Sequence, residues 1–312
     1  MNTIVNSIEI VAPLLLLVGL GAFLNQRKTL SKNTVSELSF LISKFFLPTT
    51  IFINIYNSNI KEDFDIKLFI FLTFIFILAA LINFIYIIIF VKDDRKKSVL
   101  IQASIRGNCT LFALPLSISI YGNSIAGMAS LAAVIITNLN NLYCISVFEH
   151  YQRENIKVST LLYRVIRHPL TIGLILGLMI QVLKIELPFI ILKTVTSISN
   201  ATLPIALINI GASFVFKQNK ETFKYMGLAI FYKLVIYPAL GLILAILLGF
   251  KNQQLVIIAS LLASPVAINS YLTAVSYDCD LDLANATLVY SYVFATITLP
   301  IFISIIKFMN LI

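Results

Sequence analysis

Two apolar stretches decide the fold of this chain: SIRGNCTLFALPLSISIYG, residues 104–122, and LLASPVAINSYLTAVSYD, residues 261–278. Each is long enough to cross a bilayer, yet each carries Pro, Asn, Ser and Thr among its apolar residues. Lipid offers no partner to unpaired backbone groups, so a broken helix survives at membrane depth only where it lines a cavity buried in protein. Broken helices at corresponding places in two halves of a chain point to a transporter's binding site.

The composition is that of a polytopic membrane protein. Of 312 residues, 59% are hydrophobic and 12% are charged, and the mean hydropathy is +0.95. The net charge of +9 comes from short loops beside helix ends, which excludes nucleic acid as a partner and leaves the lipid bilayer. The sequence has no HExxH helix and no Ser/His/Asp set, and the acidic run 278–282 lacks the spacing of a calcium loop. We therefore expect neither an enzyme nor a bound metal or cofactor.

Hydrophobic runs predict an all-α integral membrane protein with ten transmembrane helices. The predicted spans are 8–25, 33–56, 66–91, 98–121, 124–148, 169–185, 187–214, 225–249, 253–277 and 283–306. Spans two and seven are rich in Ser and Thr and hold Glu37, Lys44 and Asn200, so we expect them to face protein rather than lipid. Most Lys and Arg outside the spans lie in the loops that follow odd-numbered spans, so the positive-inside rule places both termini outside the cell membrane.

An offset of 156 residues relates the two halves. It joins three pairs: Pro13 and Pro169, Pro48 and Pro204, and Tyr121 and Tyr277. The offset predicts a first five-helix repeat in residues 1–148, a cytoplasmic connecting loop at 149–168 and a second repeat in 169–312. Because five is odd, the repeats insert in opposite orientations, which is typical of alternating-access carriers.

The two breaks supply most of the candidate site. The candidate substrate-binding residues are Arg106, Asn108, Cys109 and Thr110 at the first break, Ser264, Pro265, Asn269 and Ser270 at the second, and Asn138 and Asn141 in span five. Gly107, Pro115 and Pro265 are the candidate hinges. New helix ends at a break attract anions at their N–H groups and cations at their carbonyl groups.

Several of these residues have a second interpretation. Asn108 either donates to a carboxylate or only caps its own broken helix. Arg106 either draws in an anion, snorkels to the surface, or pairs with Glu37 or Glu149. The span-five asparagines either face the site or hold helices together. Lys233 in span eight has no basic equivalent in the first repeat, which favours a scaffold or interface role.

Four stretches resemble the auxin efflux carrier family, which includes plant auxin exporters and bacterial permeases proposed for malate or malonate. They are GNCTLFALPLSISIYG (107–122), IRHPLTIGLILGL (166–178), ATLPIALINIGASF (201–214) and the long segment 264–300 that begins SPVAINSYL. The resemblance implies a fold like that of bile-acid/sodium symporters, in which broken helices four and nine cross in a transport domain that moves against a scaffold. It also implies that Asn108 matches an Asn that helps to bind the substrate carboxylate, although Gly107 stands where plant members have Pro.

The sequence therefore predicts a secondary transporter that moves a small organic anion, in particular a carboxylate, by alternating access. A ligand-binding membrane receptor and an anion channel are the alternatives, although no polar output module and no ring of charges is evident. Coupling to Na⁺ or H⁺, the direction of transport and a homodimer through the scaffold helices stay open.

Overall fold

In the computed structural model, the part of the chain that is described comprises residues 2–58, 63–152, 163, 166–214, 220–277 and 279–312. Within these residues the regular structure is helical throughout. The α-helices are α1 (Asn2–Gln26), α2 (Lys32–Leu41), α3 (Leu47–Tyr56), α4 (Ile66–Phe90), α5 (Asp94–Ala103), α6 (Leu114–Tyr121), α7 (Ala126–Gln152), α8 (Pro169–Val182), α9 (Phe189–Ala212), α10 (Lys220–Phe231), α11 (Tyr237–Leu247), α12 (Asn252–Leu262), α13 (Ile268–Ser276) and α14 (Leu281–Phe308). Most of the predicted connecting loop 149–168 lies outside the described residues, as does Asp278 of the acidic run.

Six helical stretches among the described residues are long and apolar enough to cross a membrane. They are Asn33–Tyr56, Ile66–Phe90, Asn123–Phe148, Phe189–Ala212, Glu221–Leu247 and Leu281–Phe308, and they fall on predicted spans two, three, five, seven, eight and ten. Shorter apolar helices, Ala12–Gln26, Cys109–Tyr121, Pro169–Val182 and Asn252–Leu262, fall within the other four predicted spans. The all-helical membrane class is confirmed, and the number of ten spans stays a prediction.

Three π turns lie in the helical segments of the described residues, and a proline follows each of them. The turns are Ile42–Phe46, Cys109–Ala113 and Tyr232–Ile236, and Pro48, Pro115 and Pro238 are each the second residue of the α-helix that comes next. Proline lacks an N–H group, and its ring clashes with the carbonyl four residues earlier, which weakens the α form at that point. A wider turn with i→i+5 hydrogen bonds relieves the clash. These turns place the polar side chains of Lys44, Thr110 and Lys233 within otherwise apolar helices.

Spans two and seven are less buried within this chain than the expectation that they face protein implies. Only 28% of the residues in the most apolar window of Asn33–Tyr56, and 17% of those in Phe189–Ala212, are buried. Some of their hydroxyl groups are satisfied within their own helices, since Thr49 donates to Phe45 O and Thr194 donates to Ile190 O. Others join the two helices, since Thr50 Oγ1 donates to Thr202 Oγ1 at 3.0 Å. A Ser or Thr that bonds its own backbone needs no protein neighbour, so hydroxyl content alone does not reveal which face of a helix is buried.

Close helix contacts tie the first two predicted spans to the sixth and seventh. A Cβ atom on Gly21 of α1 would overlap the carbonyl oxygen of Ile208 in α9. A Cβ atom on Gly177 of α8 would lie 3.0 Å from the carbonyl oxygen of Phe52 in α3. α3 also packs against α9. Helices α1, α3, α8 and α9 therefore form one group, which we call the scaffold group.

The two predicted breaks meet at a crossing. The chain leaves helical geometry between α5 and the second π turn and again between α12 and α13. Asn108 N donates to Pro265 O at 2.8 Å, and Ala267 N donates to Arg106 O at 3.1 Å. The extended residues between them form a single antiparallel bridge. Each break thus supplies hydrogen-bond partners to the other, which satisfies backbone groups that lipid could not.

Candidate functional site

A cavity of about 260 Å³ lies beside this crossing. One wall comes from the scaffold group and the helix that leads into it: the first π turn, the start of α8 and the C-terminal third of α9. The opposite wall comes from residues 106–111 of the first break, residues 267–269 after the second break and the middle of α7. The cavity therefore separates the scaffold group from the crossing.

Basic side chains dominate the charge of this cavity. Lys44 and Arg106 both line it, and none of its described lining residues is acidic. Arg106 is buried, with 7% of its surface exposed, whereas Lys44 is exposed. A buried cation without a nearby carboxylate raises the local potential, so the cavity favours a negatively charged occupant.

Neutral atoms hold the Arg106 guanidinium in place. Nη1 donates to Asn269 O at 3.3 Å and to Thr273 Oγ1 at 3.1 Å, and Nη2 donates to Asn141 Oδ1 at 2.6 Å. These partners come from α7 and from the start and middle of α13, so the crossing itself fixes the orientation of the side chain. Glu37, one of the two carboxylates considered as its ion-pair partner, is exposed. The side chain of Glu149, the other, lies outside the described residues.

Asn108 uses both ends of its amide within the protein. Its Oδ1 accepts a hydrogen bond from Leu111 N at 3.2 Å, which makes Asn108 the N-cap of the helix that restarts after the break. Its Nδ2 donates to Tyr292 Oη at 2.6 Å, and 4% of the residue is exposed. The capping role is therefore present in this structure. Asn108 also lines the cavity, so a ligand could reach it by exchanging one of these bonds.

Three further polar side chains of the cavity wall have a buried atom without a hydrogen-bond partner. These atoms are Asn140 Oδ1, His168 Nδ1 and Asn209 Oδ1. Leaving a buried polar atom unpaired costs about 1–3 kcal/mol, so such atoms mark positions where water or a ligand binds. Burial, followed by the charges of Arg106 and Lys44, lowers the pKa of His168 to about 4. His168 is therefore neutral at pH 7 and can act as a hydrogen-bond donor or acceptor.

The cavity gathers most, but not all, of the residues singled out from the sequence. Those that line it are Arg106, Gly107, Asn108, Cys109, Thr110, Asn141 and Asn269. Asn138 instead donates to Thr171 Oγ1 at 3.0 Å and joins α7 to α8. Three residues of the second break make hydrogen bonds within the protein. Ser264 Oγ donates to Leu261 O, and the backbone oxygens of Pro265 and Ser270 accept from Asn108 N and Gln102 Nε2. Pro115 begins α6 next to the second π turn.

The polar lining residues that were not predicted from the sequence include Lys44, His168, Asn140 and Asn209. Lys44 gave a usable signal, because it is a basic residue in the middle of an otherwise apolar span. His168 gave a weaker one, since it precedes Pro169, a residue already placed in the repeat. Asn140 is adjacent to Asn141, but only the rotation of α7 shows that both reach the cavity. Asn209 gave no signal by itself.

Comparison with known proteins agrees with this architecture. A family model described as membrane transport protein matches residues 6–303. An uncharacterized transporter of Methanocaldococcus jannaschii is 23% identical to the chain over 305 residues, which cover 94% of this chain and 96% of that relative. The match confirms the resemblance noted in the sequence, because it spans nearly the whole chain. This chain belongs to the auxin efflux carrier family of membrane transport proteins.

Proposed function

We propose that this protein is a secondary transporter that carries a small organic anion, and in particular a carboxylate, by alternating access. The charge of the cavity supports an anionic substrate most directly, because Lys44 and Arg106 line the wall and no described lining residue is acidic. Among the described residues, the acceptors that hold the guanidinium of Arg106 are neutral and do not compensate its charge. A planar guanidinium is well suited to hold a carboxylate with two parallel hydrogen bonds.

The size of the cavity supports a small substrate. Drug-sized ligands occupy pockets of about 300–1,000 Å³. This cavity, at about 260 Å³, lies just below that range. An acid of a few carbon atoms would fit inside it and could accept or donate hydrogen bonds at the unpaired atoms of Asn140, His168 and Asn209.

The proposal includes ten spans arranged as two inverted repeats. Contacts between small residues support this arrangement. Gly21 and Gly177 are related by the offset of 156, and so are Phe52 and Ile208, the residues that they contact. The contact of the first span with the seventh, Gly21 on Ile208, therefore has an equivalent in the contact of the sixth span with the second, Gly177 on Phe52. Such reciprocal packing is expected of repeats related by a twofold axis in the membrane plane.

The position of the cavity supports alternating access. A site enclosed between two groups of helices can open to one side or the other when the groups shift as units. We therefore propose that the crossing moves against the scaffold group and carries the substrate with it. On this proposal the protein is a multi-pass protein of the cell membrane with both termini outside.

Flux measurements separate this function from its alternatives. Purified protein would be reconstituted into liposomes, and uptake would be followed for small mono- and dicarboxylates, each compared with its uncharged amide. We expect saturable uptake of at least one acid and no uptake of the corresponding amide. Saturable binding without uptake would favour a receptor, and flux that does not saturate would favour a channel.

A further inference from the structure

Lys233 is buried deep in the protein, and the proposed binding site does not use it. It belongs to the third π turn and has 0% of its surface exposed. Its ammonium donates to Leu262 O at 2.9 Å and lies 5.0 Å from the centroid of the Tyr237 ring. None of the described carboxylates forms an ion pair with it. A lysine at this depth costs several kcal/mol unless its charge is compensated, so its surroundings should explain why it is tolerated.

Those surroundings are the two breaks. Leu262 is the last residue of α12, so its carbonyl belongs to a helix C-terminus, where carbonyls lack partners and the helix dipole is negative. The neighbouring carbonyl of Leu261 accepts a bond from Ser264 Oγ at 2.8 Å. From the other break, a Cβ atom on Gly107 would lie 2.9 Å from Lys233 Nζ and would overlap Ser264 Oγ. The ammonium therefore lies between the two breaks.

A broken helix offers carbonyl oxygens to a cation, and carriers with such breaks bind their coupling ion there. Here an ammonium with three N–H donors already occupies that environment. We propose that Lys233 is a built-in cation at the crossing, which takes the place of a bound monovalent metal ion, so that transport by this protein does not require sodium. This inference rests on the proposed transport function, and it also explains why the residue before Asn108 has no side chain.

The test compares thermal unfolding in different cations at constant ionic strength. Wild-type protein, Lys233→Ala and Lys67→Ala would be unfolded in NaCl, LiCl or methylammonium chloride, each against N-methylglucamine chloride. Lys67 is the matched control, since its Nζ also donates to a carbonyl at a helix end, Leu248 O at 2.9 Å, but on the exposed surface. If the bulky N-methylglucamine cation cannot enter the crossing, any difference reports a bound small cation.

We expect the Tm of wild-type protein and of Lys67→Ala to be the same in all four salts. Lys233→Ala should unfold at a lower temperature in N-methylglucamine, and a small cation should raise its Tm again by about 2–4 °C or more, because binding to the native state alone stabilises it. A merely structural lysine would lose stability without this cation dependence. Lys233→Met, which keeps most of the apolar stem, serves in the same assay if Lys233→Ala does not fold.

Two results would overturn the inference: stabilisation of the wild-type protein by sodium, or a folded Lys233 variant that responds to none of the small cations. Uptake gives a separate check, since replacement of sodium on both sides of the liposome membrane should leave the wild-type rate unchanged, and a sodium-stimulated rate would also reject the inference. If the cation dependence appears but no acid is taken up, the proposed transport function fails while the role of Lys233 stands.

Discussion

Nη2 of Arg106 donates a 2.6 Å hydrogen bond to Oδ1 of Asn141, an uncharged partner contributed by α7. This contact orients the guanidinium without neutralising it, so the geometry of the side chain matters as well as its charge. We expect Arg106→Lys to lose much of the uptake, because a lysine cannot reproduce the planar fork, and Arg106→Gln to lose nearly all of it. Rates of uptake in liposomes and Tm values for both variants would check this.

The same pair of variants distinguishes the other roles considered for Arg106. If the residue served only in a fixed ion pair, Arg106→Lys would transport nearly as well as the wild-type protein. If it merely snorkelled to the surface, Arg106→Gln would retain full uptake. Asn141→Ala removes one acceptor of the guanidinium and keeps its charge, so its uptake rate should lie between those of the two Arg106 variants.

Asn108→Ala should affect both stability and binding. Loss of the cap to Leu111 N costs about 0.5–2 kcal/mol, and loss of the bond to Tyr292 adds to this. If Asn108 also contacts the substrate, binding should weaken by roughly a further 1–3 kcal/mol. Tyr292→Phe is the control, since it removes one partner of the amide and keeps the cap. Equal substrate affinities in the two variants would assign Asn108 a structural role alone.

Acid should destabilise the protein through His168. Its pKa is about 4 in the folded protein, against an ordinary value near 6.5, so the unfolded chain binds more protons between these values. Stability should therefore decline as the pH falls from about 6.5 to 4. In His168→Asn, which keeps a residue suited to begin α8, this part of the decline should be absent. Tm values across this pH range would show it as a difference between the two proteins, and parallel profiles would contradict it.

The close contact between α1 and α9 can be tested with two glycines of α1. Gly21→Ala should be destabilising by about 1–3 kcal/mol, because its methyl group would overlap Ile208 O and push the helices apart. Gly19→Ala should be tolerated, since nothing lies within 4 Å of the added atom. Thermal unfolding of both variants gives the comparison. Equal Tm values would argue against this packing of the scaffold group.

The predicted orientation can be tested with single cysteines. The native Cys109, Cys144 and Cys279 are all buried, so the background of labelling in the wild-type protein should be low. Arg167 and Glu186 are exposed and lie on opposite sides of the membrane in the predicted topology. In intact cells an impermeant thiol reagent should label Glu186→Cys and fail to label Arg167→Cys. The reverse labelling pattern would show that the protein has the opposite orientation in the membrane.

The sequence predicts the crossing well, because its causes are local. Residues 107–109 and 263–265 contain helix breakers between apolar flanks, and the offset of 156 identifies them as a pair. Arg106 could be chosen from its depth alone. The partners of these residues were not predictable in the same way. Tyr292, which binds Asn108, is 184 residues away, and no local pattern connects the two.

The opposite wall of the cavity was harder to predict, because it depends on how helices rotate against each other. Lys44 and His168 come together only when α8 packs on the helix that contains the first π turn, a contact made by residues far apart in the chain. Composition was an incomplete guide in spans two and seven, since Thr49 and Thr194 bond their own backbone whereas Thr50 bonds Thr202 across the two helices. Packing, rather than propensity, decides these features.

The π turns at Ile42–Phe46 and Tyr232–Ile236 also determine where this chain can change length. A π turn holds one residue more than the α-helix would at the same place. Deletion of that residue, together with replacement of the proline that follows, would let the helix close and would keep the phase of the helix beyond the turn, whereas a deletion elsewhere would rotate every later side chain by about 100°. Lys44 and Lys233 occupy these two turns. A relative that lost either basic group by such a deletion, and the proline with it, would keep the fold, which gives this architecture a short route to a different charge in the site or at the crossing.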